Sequence, residues 1–208
     1  MRELANMIKF KVFFDIEKEE RWLNEMLAKG WLCSNVNSAG IYTFQPTEDL
    51  EQVIRIDCQQ ELRKENKATY KQLHEDFGWR IVKEKSYDGT YYWTKSKDGN
   101  DELFSDHDSH IAKYKRLMKH ASNWAILSFI FLMIFYANDS YYSLFSIKNA
   151  YFTPGLWEKE GFSFLFAFLF ETPFAIGRFI PPWLFLVTCS IYITLYYRYR
   201  KSIKQFNQ

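Results

Sequence analysis

From Ala121 to Ala137 the chain reads ASNWAILSFIFLMIFYA, 17 residues without a charged side chain. A helix needs about 20 mostly apolar residues to span the hydrocarbon core of a bilayer, and the neighbours on both sides can extend this one. Ile180 to Tyr197 (IPPWLFLVTCSIYITLYY) has the same character, with its prolines near the start, where they interrupt few helical hydrogen bonds. A buried helix of a soluble protein could produce either run alone. The pair, with its aromatic flanks, points to a membrane region, and whatever is polar in the chain must then fold separately.

Flanking charge sets the expected topology. Lys113, Lys115, Arg116 and Lys119 precede the first run, and Arg198, Arg200, Lys201 and Lys204 follow the second. If both clusters remain cytoplasmic, the number of crossings is even. That bears on residues 161–179 (GFSFLFAFLFETPFAIGRF), which are apolar enough to suggest a third span but carry Glu171 near the middle and Pro173 beside it. An intramembrane carboxylate needs a partner or an aqueous cavity. Arg178 lies about 10 Å farther along a continuous helix, but Pro173 argues against continuity. The expectation is therefore two spans, 121–137 and 180–197, and an outer loop, 138–179, holding an interfacial or re-entrant element. Tyr136, Tyr141, Tyr142, Tyr151 and Trp157 suit its headgroup belt. The expected localisation is the cell membrane, multi-pass, with the N-terminal domain and the 198–208 tail cytoplasmic.

The mean hydropathy of −0.33 averages two unlike parts. Residues 1–120 hold 20 basic and 21 acidic side chains, and residues 121–208 hold 7 and 4. A near-neutral polar part gives no case for nucleic-acid binding. Cys33, Cys58 and Cys189 are an odd set without CxxC spacing, so neither a disulfide framework nor a zinc-thiolate site is expected, and the compartment reads as reducing. The polar N-terminal stretch leads to the expectation of no cleavable secretion signal.

The polar part repeats itself. Residues 17–31 (EKEERWLNEMLAKGW) echo residues 65–79 (ENKATYKQLHEDFGW) at a shift of 48, which aligns Trp22 with Tyr70, Gly30 with Gly78 and Trp31 with Trp79. In the first unit Ile8, Phe10, Val12 and Phe14 alternate as on a strand. Asp15 is placed to cap a helix, and Glu17, Glu19 and Glu20 suit the positive end of its dipole. Trp22, Leu23, Met26 and Leu27 form its apolar stripe. Gly30 suits the left-handed residue that ends the helix, Trp31 opens the next strand, and Ile41–Phe44 gives another. The second unit follows the same plan: a strand over Val53–Cys58, a helix over Asn66–Phe77, strands over Trp79–Lys83 and Thr90–Thr94, and an Asp88-Gly89 hairpin signal. The predicted fold class is α+β: a duplicated βαββ module over 1–104 (repeats 7–48 and 52–96), with an antiparallel sheet and helices on one face. A juxtamembrane helix over 105–120 and the C-terminal helical membrane region follow.

The first cluster, Phe14-Asp15, Glu17-Lys18-Glu19-Glu20, Trp22 to Met26, Lys29-Gly30-Trp31 and Tyr42-Thr43-Phe44, resembles an uncharacterised, membrane-anchored domain family of Gram-positive bacteria often encoded beside PadR-type transcriptional regulators. The second cluster matches at Tyr70, Phe77-Gly78-Trp79, Tyr91 to Lys95 and Leu103 to Asp106. The resemblance spans residues 7–120 and implies membrane attachment and regulation, with no catalytic residues to transfer. Tyr92-Trp93-Thr94-Lys95 lacks the arginine of the family's usual Tyr-Phe-Arg-Lys. The repeated strand order is also similar to that of GyrI-like effector-binding domains.

Aromatic residues at these spacings are foremost core residues, but Trp22, Tyr42, Tyr70, Tyr92 and Trp93, with Glu19, Glu20 or Glu25 as an anionic partner, could converge on a cleft for a hydrophobic or cationic small molecule. Asp106, His107, Asp108 and His110 have metal-ligand chemistry but read more simply as solvated helix-cap residues, so no metal site is assigned. Neither a P-loop, a dinucleotide fingerprint, an HExxH helix nor a GxSxG elbow occurs, and no catalytic residue or cofactor is assigned. The expected function is a membrane-tethered cytosolic regulatory or accessory domain. It would act by contact with a membrane protein or transcriptional regulator, or by sensing a small molecule. The alternative is an enzyme acting on a lipid or cell-envelope precursor through Glu171 and Arg178.

Overall fold

The structure is a computed structural model and describes residues 6–37, 39–59, 62, 64–85, 89–104, 106–137 and 146–206. Asp88 of the hairpin signal, Ser105, and Tyr141 and Tyr142 of the expected headgroup belt lie outside the described residues. The chain divides into two compact units, Met1–His120 with Arg198–Gln208, and Ala121–Tyr197.

In the first unit the βαββ order occurs twice: β1 (Met7–Phe10), α1 (Ile16–Ala28), β2 (Trp31–Val36) and β3 (Ile41–Pro46), then β4 (Gln52–Cys58), α2 (Lys64–Asp76), β5 (Arg80–Lys85) and β6 (Thr90–Ser96). Asp15 is extended and accepts the Glu17 amide, which starts α1 as the acidic first turn requires. Leu23, Met26 and Leu27 are buried, each stabilising the unit by about 1.5–3 kcal/mol. Both helices end alike, at Gly30 (φ 83°) and Gly78 (φ 82°), in the left-handed conformation that a Cβ disfavours.

Strand pairing departs from a single sheet. The strands form two three-stranded antiparallel sheets, β1-β3-β2 and β4-β6-β5. β2 and β5 neighbour each other without joining a ladder. Each carries a register shift, between Cys33 and Asn35 in β2 and between Ile81 and Lys83 in β5, positions 48 residues apart. A bulge bends its strand and raises its local twist, so both strands that border this seam are irregular at equivalent positions. α1 packs on β2 and also on β4 of the other module, while α2 packs on β5.

Two further helices follow, α3 (His107–Phe135) and α4 (Gly161–Phe206), both long and apolar enough to cross a membrane. Only 22% and 17% of their most apolar windows is buried, which sets them apart from the core helices of a soluble domain. The chain is thus a soluble α+β part attached to a membrane-spanning helical region. Within the second unit the two helices meet through stacked Trp124–Tyr192 and Phe131–Phe185 rings, contacts that run in opposite chain directions.

The expected break at Pro173 does not occur, because α4 continues through Pro173, Pro181 and Pro182. The Thr172 hydroxyl donates to the Phe168 carbonyl at 2.6 Å, adding a hydrogen bond in the turn where Pro173 has no N–H to give. In lipid no water competes for these groups, so an imperfect helix is still favoured over an open chain.

Candidate functional site

The duplication is carried into side-chain packing. On β3, Tyr42 and Phe44 stack with centroids 6.4 Å apart, and Trp22 of α1 meets both edge-on at 4.9 and 5.6 Å. On β6, Tyr91 and Trp93 stack at 6.4 Å, and Tyr70 of α2 meets both edge-on at 5.0 and 5.9 Å. Each module is therefore filled by one helix aromatic set against two strand aromatics, a geometry worth about 0.5–1.5 kcal/mol per pair beyond burial. In the second module Val53, Trp79 and Leu103 complete the core, and His74 packs 5.0 Å from Trp93.

Tyr92 and Trp93 are consecutive on β6, so their side chains point to opposite faces. Trp93 enters the second module's core, whereas the Tyr92 hydroxyl donates to Glu19 Oε1 at 2.5 Å. Tyr42 donates to the same oxygen at 2.7 Å, so one buried carboxylate of α1 joins the two modules. On the neighbouring face of α1, Glu20 and Asn24, a turn apart, cover the outer edge of β4. Asn24 accepts the Ile54 amide at 2.9 Å and donates to the Ile54 carbonyl at 2.9 Å, and Glu20 accepts the Ile56 amide at 2.8 Å. Two side chains thus stand in for a missing neighbour strand. Burial raises the Glu20 pKa, against the opposing effects of Lys113, the Ile56 amide and Arg55.

Two further carboxylates hold arginines from the long helices. Asp57 on β4 is buried and accepts Arg116 of α3 at 2.9 Å and the Tyr70 hydroxyl at 2.9 Å, while Arg116 also donates to the Cys58 carbonyl. Asp15, the cap of α1, accepts both terminal nitrogens of Arg198 of α4, at 2.6 and 2.8 Å, and the Tyr199 hydroxyl at 3.2 Å. Glu17 takes Arg198 as well, at 2.6 Å. Burial pushes the Asp15 pKa up, but Arg198, the Glu17 amide and Tyr199 outweigh it and hold the carboxyl below its ordinary value.

The candidate ligand residues are therefore distributed over three places: Trp22, Tyr42 and Tyr92 around Glu19, Tyr70 and Trp93 in the second core, and Glu20 on the β4 edge. Gly30, Trp31, Gly78 and Trp79 occupy equivalent helix-to-strand turns. Asp106 caps α3 through the Ser109 amide, and His107 and His110 lie against Phe206. Among the described residues no group of three or more His, Cys, Asp or Glu could hold a metal ion. Spacing names Glu19 among the candidate anionic partners, and this carboxylate meets Tyr42 and Tyr92, but spacing gives Asn24, Asp57, Arg116 and Arg198 no role in a site. A lone aspartate in the apolar strand IRIDC was the available signal for Asp57.

In the second unit Glu171 is buried and accepts the Thr153 amide at 2.7 Å, together with the Phe152 amide and the Thr153 hydroxyl. Arg178 reaches Glu171 at 3.1 Å and the Ala150 carbonyl at 2.7 Å, and lies over the Phe152 ring. The unbroken helix makes this pairing reachable across two turns. Together the two residues fasten the segment before α4 to the helix.

Residues 15–127 match a family described as a protein of unknown function, DUF2812. No curated protein and no solved structure matches the chain.

Proposed function

The chain belongs to the DUF2812 family, and from that premise we propose that its soluble part is a cytosolic regulatory or accessory module, tethered to the membrane and acting by protein contact. The observation that carries this reading is the pair of arginine grips. Each module offers one buried carboxylate, Asp15 or Asp57, to an arginine of a different long helix, Arg198 or Arg116. A module held in this way is suited to relay a contact made on its surface. The basic residues around Arg116 and Arg198 favour the cytoplasmic side for both.

Small-molecule sensing through the aromatic set has less support. Tyr42, Tyr92 and Trp93 are buried, and the two tyrosine hydroxyls are bonded to Glu19. The lipid-enzyme alternative is weakened likewise, since Glu171 and Arg178 bond each other and the 150–153 segment. A membrane protein or a PadR-type regulator, the partner classes carried by the resemblance, belongs to the same proposal.

The test places a photo-crosslinking residue at exposed Phe10, Leu50 or Leu73 of the full-length protein in native membranes. A recurrent protein adduct of one mass, confined to particular positions, is the expected result. Absence of any such adduct, with a saturable change in tryptophan fluorescence on titration with hydrophobic cations, would overturn protein contact in favour of sensing.

A further inference from the structure

The two modules share an architecture but not their surroundings. α1 covers the edge of β4 with Glu20 and Asn24, and its apolar stripe is buried. Shifted by 48 residues, the counterpart of that contact is α2 over the edge of β1. Among the described residues β1 receives no such cover: it is an edge strand of its sheet, with Ile8 69% and Phe10 71% exposed. On α2 the counterparts of Glu20 and Asn24, Ala68 and Gln72, are exposed, and apolar Leu73 (54%) and Phe77 (63%), the latter just past its end, flank them on the surface where the first module has Glu25 and Lys29. A duplicated unit has thus made one of two equivalent contacts and left both halves of the other open.

The two bare halves are complementary. The positions of α2 that correspond to Glu20 and Asn24 are Ala68 and Gln72, both exposed. Gln72 carries the same amide as Asn24 on a longer stem, which gives it the donor and acceptor needed to cap a strand edge. Asn6 and Ile8 stand where Ile54 and Ile56 stand, since Met7 pairs with Phe44 as Arg55 pairs with Trp93. Charge also matches. Beside Leu73 and Phe77, α2 exposes Glu65, Glu75 and Asp76, whereas β1 and the residue after it offer exposed Lys9 and Lys11. Lys67 and Lys71 are held on Glu84 and do not offset the acidic face.

We infer that the β1 edge and the outer face of α2 form one self-association surface, occupied by a second copy of this chain: α2 of each copy covers β1 of the other. The inference rests on the protein-contact reading above and names its partner. Two such contacts related by a two-fold axis close on themselves and leave neither half open. Self-pairing of β1 with β1 is disfavoured, because it would bring lysines of the two copies together.

The test uses full-length chains with two different tags, Cys189→Ser in both, Phe10→Cys in one and Leu73→Cys in the other, co-reconstituted in lipid nanodiscs and mildly oxidised. The expected result is a mixed-tag disulfide in about tenfold excess over same-position pairs, lost on adding Gln72→Ala with Glu75→Lys and Asp76→Lys. Lys9→Glu with Lys11→Glu should abolish it too, and combining them with Glu75→Lys and Asp76→Lys should restore it. Leu73→Asp, at a position facing away from the module, should lower the dimer fraction measured by mass photometry even if the lysine variants fold poorly. A monomer at all concentrations, or crosslinks between identical positions only, overturns the inference. So does a polarity-sensitive dye at position 10 that reports lipid contact unaffected by Leu73→Asp. A native-membrane adduct from position 10 to a different protein, with a monomeric purified chain, overturns self-association while leaving protein contact standing.

Discussion

Asparagine at position 57 would leave the Arg116 guanidinium facing a neutral amide in a buried site. Removing one partner of such a pair costs about 3–5 kcal/mol, because the remaining charge is uncompensated. Asp57→Asn and Arg116→Gln should therefore each lower the thermal unfolding temperature of the full-length protein in detergent, followed by tryptophan fluorescence. The double variant should lose less than the two singles together; strict additivity would show that the groups act independently. Glu20 differs because its role is mainly that of an acceptor. Glu20→Gln keeps an oxygen for the Ile56 amide and sheds a buried charge, so it should be tolerated. Glu20→Ala strands the amide and should cost about 1–3 kcal/mol. The folded-state pKa of Glu20 lies above its ordinary 4.5. The folded chain then holds this proton longer than the unfolded chain, so stability falls as pH climbs from 4.5 toward the folded value. Glu20→Gln should flatten that slope in unfolding curves measured across acidic pH.

At the scale of elements, α2 is held to its sheet chiefly by Tyr70, His74, and the Lys67 and Lys71 bonds to Glu84. Burial lowers the His74 pKa below its ordinary 6.5, with Asp57 opposing and Arg116 assisting. Stability from neutral His74 is present above 6.5 and is lost as pH falls toward the lower folded value, because the unfolded chain takes up the proton first. Protection of α2 amides relative to their intrinsic exchange rate should fall over that window. His74→Phe, which keeps a ring beside Tyr70 and Trp93, should remove the dependence; an unchanged profile would place the titrating group elsewhere. The residues that start and end these elements were readable from the chain, since Asp15, Gly30 and Gly78 act through local backbone geometry. Periodicity also located Leu23, Met26 and Leu27. What it could not reach was the destination of each edge. The β2–β5 seam lies between two bulged strands, and no residue type announces those bulges; Glu19, Asn24 and Arg116 act across 73, 30 and 59 residues of chain. Arg116 read as a topology charge because its sequence neighbours are lysines, and only folding places it against Asp57. The aromatic candidates failed to gather in one place for a simpler reason: adjacent strand residues such as Tyr92 and Trp93 cannot share a face.

For the molecule as a whole, α4 sets a length problem. Its 46 residues make a rod of about 69 Å, more than twice the roughly 30 Å hydrocarbon core, so one crossing uses less than half of it. The Arg198 grip on Asp15 places the C-terminal end of α4 in the same compact unit as the modules that precede α3, which supports an even number of crossings. On a two-span topology the stretch 161–179 is expected on the outer side or its interface; within its own unit the Glu171–Arg178 pair fastens it to the 150–153 segment. Single cysteines along α4, in a chain with Cys189 replaced, resolve the arrangement. In sealed cells a membrane-impermeant maleimide should label positions such as 162 and 166 from outside, skip those from 184 to 195, and reach 202 only after the membrane is opened. Labelling at 202 in intact cells would place the tail outside and require an odd number of crossings. Protection throughout 162–178 would instead place the Phe-rich half of α4 inside the bilayer, with the Glu171–Arg178 pair satisfying the buried charge.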